Sequence, residues 1–256
     1  MPTWNSAQYL KFATERTRPS ADLLCAIKCE NPQRILDIGC GPANSTEQIR
    51  KAFPNAYIVG IDSSPDMIAA AKKAMPNTHF ICCDTSSELE KAEGNFDIIF
   101  SNACLQWLPN HSSLIKYISG FLNKNGVLAV QIPIQQTQPV HKIIESAVSS
   151  EKWKNLITTK RIFYNLTTSE YYNVLSEHFA QINIWETTYC HILNSCEDII
   201  EWYKGTGLRP YLQQLSSENQ NIFLAEIRSR LLKAYPPQSD GKIIFPFPRL
   251  FFTAKK

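Results

Sequence analysis

A charge excess of one sign, long apolar runs, a leader pattern and paired cysteines are all missing from this chain of 256 residues. With 26 Lys and Arg against 23 Asp and Glu, the formal net charge is +3, too balanced to point to a polyanion, so no nucleic acid partner is expected. No stretch approaches the roughly 20 apolar residues of a membrane span, and the N-terminus lacks a basic-then-apolar signal pattern. The expectation is a soluble, cytoplasmic protein with no membrane partner. The eight cysteines, at 25, 29, 40, 82, 83, 104, 190 and 196, contain no Cys-x-x-Cys pair. That argues against a metal site and leaves small buried thiols as the expected state. No repeat, low-complexity tract or linker separates autonomous domains, and 44% hydrophobic residues suffice for a large core.

What is present is concentrated first in residues 34–46, Arg-Ile-Leu-Asp-Ile-Gly-Cys-Gly-Pro-Ala-Asn-Ser-Thr. Ile35, Leu36 and Ile38 form a short apolar run with strand propensity, and Gly39 and Gly41 end it where a side chain would obstruct a tight turn or a ligand. Asn44, Ser45 and Thr46 are candidate N-caps for a helix running to about Phe53, where Pro54 stops it. Strand, glycine loop and helix start in that order make a nucleotide-type site, with backbone N–H groups and the positive end of the helix dipole facing the ligand. The next strand, Tyr57–Asp62, ends in a carboxylate about 20 residues past the glycines, where doubly wound folds hold ribose hydroxyls. Asp37 precedes the first glycine, so the loop reads Asp-x-Gly-x-Gly and not the dinucleotide Gly-x-Gly-x-x-Gly. An acid there suits an ammonium or sulfonium and repels phosphate.

The order of the remaining elements extends this pattern. Residues 4–16 read as a helix with Tyr9, Phe12 and Arg16 on one face, broken at Pro19 and followed by a second helix over 21–28. This segment is either an ordinary amphipathic pair or a lid that turns Arg16 or Arg18 toward an anionic substrate. Ser63-Ser-Pro65 opens a helix to Met75 with Met67 on its first turn, where it is either in contact with an adenine ring or an ordinary core methionine. Strands follow at His79–Asp84, ending in an acid that can accept from an adenine amino group, and at Phe96–Ser101. A helix over 115–122, a turn at 123–126 and a strand over 127–132 complete an alternating, parallel α/β half. Beyond Pro139 come helices over 139–149 and 169–178, a strand over 181–190, helices over 196–204 and 217–234, and a final strand over 242–253. Its two prolines suggest an edge or a bulged start. The chain reads as one domain: a helical lid over 1–30, a cofactor core over 31–135, a mostly helical cap over 136–241 and the closing strand over 242–256.

The Asp-x-Gly-x-Gly loop followed by the acid at 62 resembles the class I S-adenosylmethionine (SAM)-dependent methyltransferases. A more specific resemblance spans almost the whole chain. It rests on Trp4, Tyr9 and the run Arg16-Thr-Arg-Pro19, the loop from Asp37, Gly60-Ile-Asp-Ser-Ser-Pro-Asp-Met67, and Asn102-Ala-Cys-Leu-Gln-Trp-Leu-Pro109. It is carried most specifically by Trp185, Tyr189 and His191, by Glu201-Trp-Tyr-Lys-Gly-Thr-Gly-Leu-Arg-Pro210, and by Phe247-Pro-Arg-Leu-Phe251. Together these resemble the trans-aconitate 2-methyltransferase family.

The resemblance implies a Rossmann-like α/β fold, with a mostly parallel seven-stranded sheet, helices on both faces and a helical substrate-side insertion. It implies methyl transfer from SAM to a carboxylate of a small polycarboxylic acid, with S-adenosylhomocysteine as the second product. The implied cofactor set is Asp37, Gly39, Gly41, Asp62, Ser63, Met67, Asp84, Asn102 and Gln106; the implied substrate set is Tyr9, Arg16, Trp107, Tyr189, His191, Arg209 and Arg249. No catalytic acid or base is nominated, since a carboxylate is already ionised at pH 7. A monomer is expected. Two departures stand out: Ala43 replaces the family's usual third glycine, and residues 133–141 diverge. The alternatives are a malonyl-carrier-protein methyltransferase and a SAM-binding module without activity.

Overall fold

The computed structural model of the chain describes residues 13–159 and 161–256, with side chains from 17 onward. Its centre is a seven-stranded sheet, in the order β3-β2-β1-β4-β5-β7-β6. The strands are β1 (Arg34–Ile38), β2 (Tyr57–Asp62), β3 (His79–Cys82), β4 (Phe96–Asn102), β5 (Leu122–Pro133), β6 (Gln181–Leu193) and β7 (Ile243–Lys255). The first five pair in parallel, while β7 is antiparallel to both β5 and β6. The chain winds from β1 outward to β3, then crosses back to β4 beside β1. That reversal makes the carboxyl ends of β1 and β4 the topological switch point, where open α/β sheets bind ligands.

Helices cover both faces, because strands buried on both sides need apolar partners on both. On one face α1 (Ala13–Cys25) and α2 (Asn44–Ala52) bring Leu23, Leu24 and Ile49 against Ile35, Ile58, Ile98 and Phe251. On the other, α4 (His111–Ser119) and α6 (Thr168–Ser176) bring Leu114, Ile115, Ile118, Tyr171 and Leu175 against Leu36, Ile99, Leu128 and Phe252. α3 (Pro65–Ala74) follows β2, its N-terminus capped by the Ser64 hydroxyl, which accepts from Met67 N–H. A further core lies beyond the sheet. There α5 (Pro139–Val148), α7 (Cys196–Lys204), the short α8 (Arg209–Leu212) and α9 (Ser217–Ala234) pack Ile144, Trp202, Tyr211 and Phe223 around Phe245 and Phe247 of β7. β7 therefore runs from the cap into the sheet and joins the two cores.

Several local expectations are corrected. α1 does not break at Pro19: the helix continues to Cys25, with Pro19 buried inside it. A proline forfeits one backbone hydrogen bond, and the packing of Leu23 and Leu24 on the sheet outweighs that loss. The remainder of the expected 4–16 helix, Tyr9 included, lies outside the described residues. The turn expected at 123–126 is a bulge inside β5, where pairing with β4 jumps from Phe96↔Leu122 to Ile98↔Val127, and the preceding helix ends earlier, at Ser119. Asp84 lies two residues past β3, not at its end. α8 carries no periodic signal and went unpredicted. Pro246 and Pro248 sit in a central strand, yet β5 pairs with β7 only from Arg249 onward. The carbonyl of Pro248 accepts from Ile134 N–H on that same β5 side, so the missing N–H groups leave no β6 partner unsatisfied. All eight cysteines are free thiols, but Cys25, Cys82 and Cys190 are exposed, contrary to the expected burial. Cys190 takes an outward position in the alternation of edge strand β6.

Candidate active site

The glycine loop is held open by conformation and by sterics. Gly39 and Gly41 have φ of 70° and 54°, and a Cβ on Gly39 would lie 2.4 Å from Cys104 Sγ, so only glycine fits. A Cβ on Gly41 would meet nothing within 4 Å, which is the signature of a residue bordering open space. Ala43 also has positive φ, 78°, and serves as the N-cap of α2 with no side-chain hydrogen bond. None of the candidate caps caps the helix. Ser45 Oγ and Thr46 Oγ1 donate instead to Asp37 Oδ2, at 2.7 and 2.6 Å.

Asp37 is fully buried, and burial pushes its carboxyl up to about 6 against the two hydroxyl donors that favour the ionised form. Its second oxygen, Oδ1, is buried without a hydrogen-bond partner among the described residues. Asp62 sits at the end of β2 and accepts from Gly41 N–H at 3.1 Å and Ser64 N–H at 2.8 Å, so one carboxylate fixes both the loop and the start of α3. Asp84 Oδ1 accepts from Ser86 N–H and Oγ at 2.7 and 2.5 Å. Met67 is buried on the first turn of α3 and Ser63 is exposed beside it. A cavity lies over the loop, lined by Gly39, Gly41, Asn44 and Ser45 together with Thr17 and Ser20 of α1.

A second cavity adjoins the first, and Asn102 lines both. Asn102 Oδ1 and Gln106 Oε1 are buried without hydrogen-bond partners among the described residues. The 3-10 turn Leu105–Trp107 carrying Gln106 and Trp107 is anchored from below by His111. His111 Nε2 lies 3.0 and 2.9 Å from the carbonyls of Leu105 and Leu108, which only accept, so it carries the proton and Nδ1 accepts from Tyr171 OH at 2.6 Å. Burial lowers the pKa of His111 accordingly.

The far wall of the second cavity comes from the cap: Trp202, Tyr203, Thr206 and Phe247, with Gln135 from the divergent segment. Arg249 projects into it from β7. It is 3% exposed, donates to Gln131 Oε1 at 3.0 Å and lies 4.8 Å from the centre of the Phe247 ring.

The two expected sets are not gathered equally. Asn102, Gln106, Trp107 and Arg249 line the second cavity and Gly39 and Gly41 the first. Asp37 and Asp62 line neither but bond to the lining residues Ser45 and Gly41, and Ser63, Met67 and Asp84 line neither cavity. Tyr189 lies behind Arg249, its ring 5.9 Å from that guanidinium, and its hydroxyl donates to Asp22 Oδ2 at 2.6 Å, tying β6 to α1. His191 packs against Trp202, ring centres 5.0 Å apart. Arg209 begins α8 and is not among the cavity-lining residues. Tyr9 and the side chain of Arg16 lie outside the described residues. The sequence reading missed Gln135, Thr206 and Arg161. Arg161 stacks its guanidinium 3.8 Å over Trp107 and donates to Thr206 O at 2.5 Å. Its only sequence signal is an arginine near aromatics at 163 and 164.

A family model described as a methyltransferase domain matches residues 30–191. The trans-aconitate 2-methyltransferase of Methylobacterium nodulans is 42% identical over 258 residues, covering 100% of this chain and 99% of the relative. The chain belongs to the trans-aconitate 2-methyltransferase family. The enzyme of that name from Escherichia coli O157:H7 is 40% identical, covering 100% of this chain and 99% of its own length. Solved structures agree on the fold. Bacillus subtilis YcgJ matches with a TM-score of 0.59 at 16% identity, over 93% of this chain and 98% of its own. The plantazolicin methyltransferase BpumL, solved with a pentazolic desmethylPZN analogue and S-adenosylhomocysteine, matches with a TM-score of 0.52 at 22% identity, over 98% of this chain and 90% of its own. Class I methyltransferases of this kind use SAM, and the residues here fit it: Asp37 Oδ1 is a buried acceptor in need of a donor, and Gly41 leaves space for a ligand. No helix among the described residues is long and apolar enough to cross a membrane.

Proposed function

We propose that this chain esterifies one carboxylate of trans-aconitate, or of a closely similar small polycarboxylic acid, with the methyl group of SAM. In this reading the protein works as a cytoplasmic monomer on a free acid, with no nucleic acid or membrane partner. The observation that carries the reading is the junction at Asn102, where the glycine-loop cavity meets one that contains a buried arginine. The names of the relatives support the choice of acid.

When bound, SAM supplies an electrophilic methyl group on a sulfonium. Asp37 would accept from the ammonium of its amino acid end, and the amides opening α2 suit the carboxylate beside it. Asp62 would accept from the ribose hydroxyls and Asp84 from the adenine amino group, with Met67 and Ser63 beside them. Arg249 would fix a carboxylate of the acceptor, and its buried setting makes that hydrogen bond strong. Tyr189 supports Arg249 from behind, while Trp107, His191, Arg209 and the N-terminal Tyr9 and Arg16 complete the acceptor side. Asn102 and Gln106 sit between the two ligands. An acceptor carboxylate is ionised at pH 7, so the residues need only align it and exclude water; alignment of this kind can be worth about 7–11 kcal/mol.

A coupled assay for S-adenosylhomocysteine tests the proposal with trans-aconitate, citrate and malonyl-loaded carrier protein as acceptors. Turnover of trans-aconitate in preference to the others is expected. Turnover of the carrier protein alone would transfer the activity to that acceptor. Silence with all three, despite measurable SAM binding, would leave a binding module.

A further inference from the structure

Arg161 lies in the connection between α5 and α6, outside every motif that identifies the family, yet two of its side-chain contacts lead to the acceptor cavity. Trp107 and Thr206, which its guanidinium stacks on and donates to, are both lining residues of that cavity. Its main-chain N–H donates to Tyr211 OH at 3.2 Å, and Tyr164 N–H, three residues on, donates to Gln106 O at 3.0 Å. The segment is thus pinned to the turn that bears Gln106 and Trp107 on one side and to α8 on the other. The side chain is only partly exposed. Burial, together with the like charge of Arg209, draws its pKa down to about 10. Arg161 does not itself line the cavity but sits against Trp107 and Thr206, which do, while Arg249 projects into it from β7. The two cations form a field that an anion with several charges relieves and one with fewer relieves less.

We propose that Arg161 is the specificity-determining cation of the acceptor site, engaging a second carboxylate of the polycarboxylate whose first is held by Arg249. The inference rests on the proposed function and deepens it. Arg161 selects for the number of carboxylates, while the cofactor cavity, behind Asn102, does not sense it.

The test compares wild type, R161M and R161K with trans-aconitate and with two acids lacking one of its carboxylates, glutaconate and itaconate. R161M is expected to raise KM for trans-aconitate by about 10- to 100-fold, the range of a lost hydrogen bond to a charged group. Its kcat should stay within a few-fold, its SAM affinity and Tm should not move, and its preference for three carboxylates over two should collapse. R161K, which keeps the charge and loses the fork, should fall between. An unchanged KM, or an equal loss for all three acids, would overturn the role and leave Arg161 as a prop for Trp107. If wild type turns over none of the acids, the functional reading fails separately, and calorimetry of trans-aconitate with the S-adenosylhomocysteine complex decides the rest. Binding by wild type that R161M loses supports the site, and equal or absent binding in both overturns it.

Discussion

The two halves of the sheet solve different problems. On the β3-β2-β1-β4 side, the ligand-facing groups come from strand ends and a tight loop, largely backbone and short acids, and Asp37 to Asp62 spans 26 residues. Toward the β5-β7-β6 side, the second cavity is walled by side chains of Trp202 and Thr206 from the cap and Arg249 from β7, which meet Asn102 and Trp107 at and just after the end of β4 and are brought together from distant parts of the chain. A cofactor common to many enzymes can be met by a local backbone motif. An acceptor peculiar to one family needs side chains whose positions depend on how the cap packs.

The comparison is most sharply broken at Gly39. Gly39→Ala puts a methyl group 2.4 Å from Cys104 Sγ at a φ of 70°, so SAM binding should be lost along with about 3 kcal/mol or more of stability, read by calorimetry and urea unfolding. Were SAM affinity retained, the loop would not be the cofactor site. Next in size, Arg249→Met removes a buried cation from the acceptor half alone. KM for the acid should rise about 100-fold, at roughly 3 kcal/mol for a charge-assisted bond, with SAM affinity unchanged. A matching loss of SAM affinity would mean that the halves are not separable.

pH should act on the cofactor half, through Asp37, with opposite sign for folding and for SAM binding. Because burial holds Asp37 at about 6, the folded apoprotein takes up a proton between roughly pH 6 and 4 that the unfolded chain takes up only near 4. This group therefore favours folding as pH falls through that window and disfavours it as pH rises. A cation beside Oδ1 favours the ionised form, so SAM affinity should weaken by up to about tenfold per unit below pH 6. Asp37→Asn should flatten that profile in a calorimetric pH series; a profile as steep as wild type would remove Asp37 from the cofactor site. The smallest effect belongs to Ala43→Gly. Relieving a left-handed alanine is worth about 1–2 kcal/mol against roughly 0.5–1 for glycine's added freedom, so a net gain near 0.5–1 kcal/mol is expected in chemical denaturation.

How legible each half was follows from the same contrast. The strands and most helices were readable because their apolar periods are local. The errors fell where tertiary contacts override local signals: Pro19 inside α1, the bulge at 123–126, and the serine and threonine that bond Asp37 when their chemistry suggested caps. The prolines of β7 announced an irregular strand, but only the sheet order showed a central strand that is locally an edge.

By itself the sequence determined the α/β class, the Asp-x-Gly-x-Gly loop and its acids, because a turn that needs positive φ and a strand that must be buried leave marks within a few residues. The tertiary structure alone decided that Tyr189 gives its hydroxyl to Asp22, that Gln135 and Thr206 wall the acceptor cavity, and that Arg161 lies over Trp107. Side chains that meet across tens of residues or more are placed by how the elements pack on the sheet and cap, and that packing has no period to read.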